Sequence, residues 1–246
     1  MFFHLQILLW SMLYAAALEL SVWKSDWLYV NGMLVMLAAL LALRNADRHN
    51  PKLMGILAPL SVSSVLLIYL IDTFAQRQIF ITISALVFYV ALLGIFRLKA
   101  YQKDQTARGL LAAALMAAFF IFLCSFYGFY LNFSIYLWFL MALFFAVTAG
   151  MSYAYFAIMQ PDHSELRTFS LIVGMVMAEI AWIITFWPFG YLTTGAVVLI
   201  FYFLFWDLTQ RHFTNNLSQK SLILNLALFA AVAAVILSTS RWLPVV

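Results

Sequence analysis

Three carboxylic acids lie within or at the ends of long apolar segments, where ionisable side chains are rare. Glu179 stands nine residues before Pro188, and at ~1.5 Å per helical residue this puts it roughly 13 Å below the end of its segment. Glu19 and Asp72 stand close to the ends of two other segments. A carboxyl group inside a membrane segment is costly and is by default a candidate functional group.

These three acids form the candidate site. If their helices converge, they would create one polar pocket for a cation, a proton or a small solute. Each acid also has a structural interpretation: Glu19 and Asp72 would lie among headgroups, Asp72 beside Arg77, and Glu179 would bond to a neighbouring helix. We expect Glu179 to face the bundle interior and to be protonated at neutral pH unless a cation lies beside it, because a bare carboxylate facing lipid is unfavourable.

The placement of histidine, cysteine and lysine argues against the common cofactors. The histidines are His4, His49, His163 and His212. All four fall at segment ends or in polar breaks, whereas a haem needs axial ligands inside the bundle. The single cysteine, Cys124, excludes a disulfide within the chain and a Cys-based zinc site. No lysine lies inside an apolar segment, and no phosphate-binding glycine loop, GxSxG or HExxH is present. We therefore predict no metal site, no cofactor and no assigned catalytic residue.

The elements that carry these residues are apolar helices. Hydrophobic residues make up 67% of the chain and charged residues 9%, against about 45–50% and about 25% in soluble domains. Continuous apolar runs without alternation predict helices, whose backbone groups are satisfied within one segment. The predicted helices cover about 2–22, 28–43, 53–75, 79–96, 109–131, 135–158, 168–187, 192–208 and 221–240. We predict an all-α polytopic transmembrane bundle of four hairpins plus a final helix. It forms a single membrane domain over residues 1–246, without a soluble domain.

The basic residues predict the orientation of the bundle. Ten fall in breaks on one side: Arg44, Arg48, Lys52, Arg97, Lys99, Lys103, Arg108, Arg167, Arg211 and Lys220. Three fall on the other side: Lys24, Arg77 and Arg241. Because basic loops stay in the cytoplasm, the richer side is predicted to be cytoplasmic. The N-terminus would then be cytoplasmic and the C-terminus outside the plasma (inner) membrane, with all three acids in the outer half.

Two further patterns concern packing inside the bundle. Ala146, Gly150 and Ala154 recur every fourth residue, and small residues at this spacing let two helix backbones approach closely. Pro59 precedes Ser61 and Ser64 in the third segment. A proline frees a backbone carbonyl inside a helix, and nearby hydroxyls can satisfy it, so this segment is predicted to be kinked.

Transport or permeation of a cation, proton or small solute is the leading functional hypothesis, with Glu179 as the binding group and Asp72 and Glu19 at its mouth. The main alternative is a non-catalytic scaffold or partner subunit of a membrane complex, suggested by the small-residue series and many aromatic residues. An intramembrane enzyme acting on lipid is a third, which lacks a second catalytic group. The predicted partners are membrane lipid and other membrane-protein chains. Nucleic acid is not among them, since the basic residues follow membrane topology.

Overall fold

The computed structural model describes residues 2–23, 27–46, 51–101, 104–133, 135–159, 165–214 and 219–239. These ranges contain nine α-helices and no strand. The helices are α1 (Phe2–Trp23), α2 (Leu28–Ala46), α3 (Met54–Leu70), α4 (Phe74–Ala100), α5 (Gln105–Asn132), α6 (Leu137–Met159), α7 (Leu166–Ile184), α8 (Tyr191–Phe213) and α9 (Gln219–Thr239). The all-α prediction is confirmed. Lys24, Arg48, His49, Lys103, His163 and Arg241, which the sequence arguments used, lie outside the described residues.

Seven of these helices are long and apolar enough to cross a membrane. The other two, α3 and the apolar part of α9 (Ile223–Thr239), are shorter apolar helices. The 17 residues of α3 would extend about 25 Å at ~1.5 Å per residue, close to the lower limit of about 17 residues for a span. The helices therefore fit a multi-pass membrane protein.

The turn between α3 and α4 lies earlier in the chain than predicted, because a side chain caps the start of α4. The hydropathy pattern put the turn between the third and fourth helices near Ala75–Gln78, but α3 ends at Leu70 and α4 begins at Phe74. The Thr73 side chain accepts a hydrogen bond from the Gln76 N–H at 3.4 Å and so caps α4. The turn comes earlier than predicted because Thr73, which caps α4, lies near the start of the polar stretch between the two helices.

The α4–α5 turn is held by Asp104. One carboxylate oxygen accepts the N–H groups of Thr106 and Ala107 at 2.9 and 3.2 Å, which caps α5. The other accepts hydrogen bonds from Arg97, whose Nε and Nη2 both lie 2.8 Å away. Partial burial raises the pKa of the Asp104 carboxyl. The Ala107 N–H and the Arg97 guanidinium outweigh it, so the net pKa lies below its ordinary value.

Acid is expected to weaken this turn. Because the folded pKa of Asp104 is depressed, its contribution to stability is complete above its unfolded value of about 3.9 and is lost as the pH falls through the folded value. Thermal unfolding of the parent and of Asp104→Asn, in detergent between neutral and strongly acidic pH, measures this. The parent should lose more stability on acidification than the variant, which has no proton to gain at this position. Parallel pH profiles would contradict the assignment.

The first compact unit, Met1–Ser125, contains α1 to α4 and most of α5. Helix α3 is its central element, because buried residues occur around most of its circumference. It contacts α1, α2 and α4, and the Ser125 hydroxyl of α5 donates to the Ser63 carbonyl of α3 at 2.7 Å. An interhelix hydrogen bond of this kind satisfies the hydroxyl in an apolar environment where no water is available.

The second compact unit, Phe126–Val246, has the α6–α7 pair as its most extensive contact. A Cβ placed on Gly174 would lie 2.9 Å from both the Ala149 Cβ and the Phe145 carbonyl oxygen. The two backbones are therefore close only because residue 174 lacks a side chain.

This geometry corrects the predicted packing series. Ala154 is buried, but Ala146 and Gly150 are exposed. Apart from the adjacent residues and backbone of α6 itself, a Cβ built on Gly150 meets no described atom within 4 Å. The close contact uses Ala149, one residue away, so α6 is turned by about 100° relative to the prediction.

Candidate functional site

Glu19 lies at the end of α1, in the first unit, and is half-buried. Its Oε2 accepts a hydrogen bond of 3.0 Å from the Gln78 amide in the first turns of α4. The carboxyl group is thus held between two helices rather than free in a headgroup layer. A glutamate kept in place by one neutral donor retains acceptor positions for a proton, a cation or a solute.

Asp72 lies in the turn between α3 and α4 and is exposed. Its predicted ion pair with Arg77 is absent from the salt bridges of the described chain, which join Arg97 to Asp104 and Arg211 to Asp207. Arg77 instead donates from Nε to the Ile71 carbonyl oxygen at 2.6 Å. The guanidinium therefore satisfies a carbonyl left open at the end of α3.

Asn31 and Tyr69 add a polar contact that the sequence reasoning missed. Asn31 is buried in the first turn of α2, and its amide donates to the Tyr69 hydroxyl near the end of α3 at 3.3 Å. Helices α1 to α4 pack on one another and alternate in direction. The end of α3 and the start of α4 therefore lie at the same end of the unit. That end therefore gathers Glu19, Asn31, Tyr69, Asp72 and Gln78.

Hydroxyl groups also occupy the middle of the first unit. Tyr14, Ser61, Ser63, Ser64 and Ser84 are at most 1% exposed. The Ser61 hydroxyl donates to the Leu57 carbonyl at 2.8 Å, which is a bond within its own helix and not to the Gly55 carbonyl that Pro59 frees. The other four hydroxyls complete no hydrogen bond of standard geometry among the described residues. Sequence reasoning noted the serines only as a kink signal and passed over Tyr14.

Glu179 lies on α7 in the second unit, and its side chain is exposed. The expected inward orientation is wrong for the described chain. The buried face of α7 carries Gly174, Ala178 and Ala181, which are small residues spaced by about one turn. Close packing on α6 selects that face, and Glu179 follows Ala178 by one residue, or about 100° around the helix.

The second unit has its own polar contacts. The hydroxyls of Ser152 on α6 and Tyr202 on α8 are 3.2 Å apart and buried. Asp207 accepts hydrogen bonds from the Arg211 Nε at 2.7 Å and from the Asn225 amide at 2.9 Å, which joins α8 to α9. Asp207 is therefore a structural link at the end of α8, and the tyrosine and serine form an interhelix contact.

Groups that could hold a metal or a haem are scattered. The His4 ring nitrogen lies 3.3 Å from the Tyr89 hydroxyl, and the His212 ring lies 4.8 Å from that of Phe169. Across the described ranges, no three His, Cys, Asp or Glu side chains are grouped in a way that could hold a metal ion. Cys124 is buried within α5.

The shared pocket of the three carboxylates stays a prediction. Glu19 and Asp72 belong to one end of the first unit, and Glu179 belongs to the second. Among the described residues, Glu19 has a hydrogen bond to another helix, through Gln78. What the first unit offers chemically is one held carboxylate at its end and neutral hydroxyls in its interior.

Comparison with known proteins gives a family but no activity. No curated protein sequence and no solved structure matches the chain. Residues 57–240 match a family described as protein of unknown function (DUF5656). The matched part begins within α3 and extends through α9. Because it covers about three quarters of the 246 residues, the chain belongs to the DUF5656 family.

Proposed function

We propose that this protein is a small membrane transport or permeation protein for a cation, a proton or a small solute, with the Glu19 end of the first unit as its mouth. The observation that carries the proposal is the Glu19 carboxylate, half-buried and held by Gln78 at 3.0 Å. A held carboxylate at the end of an apolar helix is costly, and such groups commonly mark ion or proton pathways.

The surroundings of Glu19 support this role. Asp72 is exposed at the same end of the unit, where it would raise the local concentration of cations. The Asn31–Tyr69 pair adds neutral donors and acceptors beside it. In our proposal this end faces the outside of the plasma membrane, because the basic residues favour the opposite end as cytoplasmic.

Flux measurements on the full chain in liposomes test the proposal. We expect proton, sodium or small-solute flux above that of empty liposomes, and a loss of about tenfold or more in Glu19→Gln. The amide keeps an acceptor for Gln78 but removes the charge that attracts the cation or carries the proton. Glu165→Gln is the matched control, because Glu165 is exposed ahead of α7 and should be silent. Absence of flux in the parent, or full flux in Glu19→Gln, would refute the proposal.

Glu179 favours a second candidate, a partner subunit of a membrane complex. Its carboxyl is exposed on a helix face that also exposes Met175 and Trp182. A carboxylate on an otherwise apolar face is stabilised when another chain supplies a donor or a positive charge. The same preparation separates the candidates. Purification in mild detergent yields a monodisperse chain if it acts alone, and a stoichiometric complex that Glu179→Leu weakens if it is a subunit.

A further inference from the structure

A groove runs between α2 and α3 on the surface of the first unit. It has a volume of about 450 Å³ and is lined by ten residues, seven from α2 and three from α3. Tyr29 is the only one of the ten with a polar side chain. The lining side chains of Met33, Leu37 and Val62 are 74%, 52% and 38% exposed. The described chain therefore leaves this apolar groove open.

Gly32 forms part of the floor of the groove. Leu28 and Met36, which also line it, lie one helical turn to either side of Gly32 on the same face of α2. Apart from the adjacent residues and backbone of α2 itself, a Cβ built on Gly32 would meet no described atom within 4 Å. A side chain at position 32 would therefore extend into the groove without a clash against the packed interior.

The groove is about as long as one leaflet of a bilayer is thick. It follows α2, which is long and apolar enough to cross a membrane, from Leu28 to Leu40. These 12 helical steps extend ~18 Å at ~1.5 Å each, and half of the hydrocarbon core is about 15 Å. Trp27 and Tyr29, which are 54% and 84% exposed, lie at one end, and such side chains are enriched at the membrane–water boundary. The groove therefore begins at one boundary and extends through the adjoining leaflet.

The groove is too small to receive a helix of another chain. A helix with its side chains is about 10–12 Å across, so ~18 Å of it occupies roughly 1,400 Å³, about three times the volume of the groove. A stable interface between two proteins also uses about 20–30 residues a side, whereas ten line the groove. An acyl chain, in contrast, is a single file of methylene groups and needs no polar partner along its length.

We propose that the α2–α3 groove binds one acyl chain of a membrane phospholipid, whose headgroup lies near Trp27 and Tyr29. No water fills an apolar groove at this depth, and an empty groove deprives its walls of dispersion contacts. The acyl chain restores these contacts along Met33 and Met36, and the Tyr29 hydroxyl donates to an oxygen of the ester or phosphate groups. This site does not depend on the proposed transport function and stands if no solute is moved.

Photo-crosslinking in vesicles tests where the acyl chain lies. The full chain is reconstituted in phosphatidylethanolamine and phosphatidylglycerol vesicles that contain phosphatidylethanolamine with a diazirine in the middle of one acyl chain. Trypsin then releases α2 within the peptide 25–44, and the peptide 168–211 serves as the reference. That reference contains the exposed Leu171 and Met175 of α7, which meet passing lipid. We expect the peptide 25–44 to carry at least about threefold more label, because a bound chain stays in contact for longer. Equal labelling of the two peptides would overturn the site.

Filling the groove tests the site a second time. Native mass spectrometry of the parent in mild detergent should show one retained phospholipid. We expect the lipid-bound fraction to fall at least about fivefold in Gly32→Leu, whose side chain occupies the groove. Gly150→Leu is the matched control and should retain lipid like the parent, because Gly150 is exposed on α6 and does not line the groove.

Two further measurements keep the outcome decisive. Thermal unfolding identifies any variant that fails to fold, and Val62→Phe then narrows the same groove from α3 and should also lose the lipid. Undiminished lipid in a folded Gly32→Leu would overturn the site. So would a retained mass of detergent or free fatty acid in place of phospholipid. A parent dimer that Gly32→Leu dissociates would also overturn it, since the occupant would then be a second copy of the chain.

Discussion

Gly174→Leu is expected to abolish the packing of α6 on α7, whereas Gly150→Leu leaves the fold intact. At position 174 a Cβ would lie 2.9 Å from the Phe145 carbonyl oxygen and 3.2 Å from the Ala149 amide nitrogen. These are backbone atoms, so the clash is relieved only by moving one helix away from the other. Overpacking costs typically about 1–3 kcal/mol, and a branched side chain against backbone should reach the upper end of that range.

Gly150→Leu is the matched control, because it introduces the same side chain on the facing helix. Gly150 has no neighbour within 4 Å in the described structure, and leucine favours a helix over glycine by up to about 1 kcal/mol. Size-exclusion profiles and thermal unfolding in detergent compare the two variants. We expect Gly174→Leu to aggregate or to unfold at a clearly lower temperature, and Gly150→Leu to match the parent. Equal behaviour of the two variants would mean that the α6–α7 contact is not formed as described.

Composition was enough to predict the class of fold. A chain that is 67% hydrophobic and 9% charged has too few charged residues for the surface of an ordinary soluble domain. Its continuous apolar runs are compatible with membrane helices. The existence of each helix followed from these runs. Their ends did not, because capping side chains such as Thr73 and Asp104 set the ends from within polar stretches whose hydropathy is nearly uniform.

The orientation of each helix about its axis could not be predicted in the same way. In a soluble protein, polar residues indicate the outer face, but lipid and the bundle interior are both apolar. The sequence argument therefore relied on one charge in α7 and one small-residue series in α6. Helix α7 packs through the face that carries Gly174, Ala178 and Ala181. Glu179 lies on a different face of the helix, which is exposed.

The interior hydroxyls had a weak signal in the sequence. Ser61 and Ser64 were visible as hydroxyls near Pro59, but Tyr14 belongs to another helix, and its burial depends on how α1 packs on its neighbours. Glu19 and Gln78 are 59 positions apart, so their hydrogen bond was equally invisible. Single residues of interest could be named from the sequence, whereas their partners required the packing.

Gly94→Leu is expected to separate α4 from α5 in the first unit. A Cβ on Gly94 would lie 3.2 Å from the Ala107 carbonyl oxygen and 3.2 Å from the Leu111 amide nitrogen. Both atoms are backbone, so even the Cβ requires α4 and α5 to move apart by a few tenths of an ångström, and we expect the larger leucine side chain to cost about 1–3 kcal/mol. Gly109→Leu on α5 is the control, because Gly109 is exposed and has no neighbour within 4 Å in the described structure.

The same shift should weaken the Arg97–Asp104 ion pair, because Arg97 lies on α4 three residues after Gly94, within one helical turn. The pair needs the end of α4 and the start of α5 in register, and its oxygen–nitrogen distance is 2.8 Å. A double-mutant cycle of Gly94→Leu with Asp104→Asn, read by thermal unfolding, therefore has a defined outcome. We expect Asp104→Asn to cost less stability in the Gly94→Leu background than in the parent, because the interaction that it removes is already strained. Additive effects would show that the helices accommodate leucine at Gly94 without moving, and that the close approach of α4 and α5 does not hold the turn together.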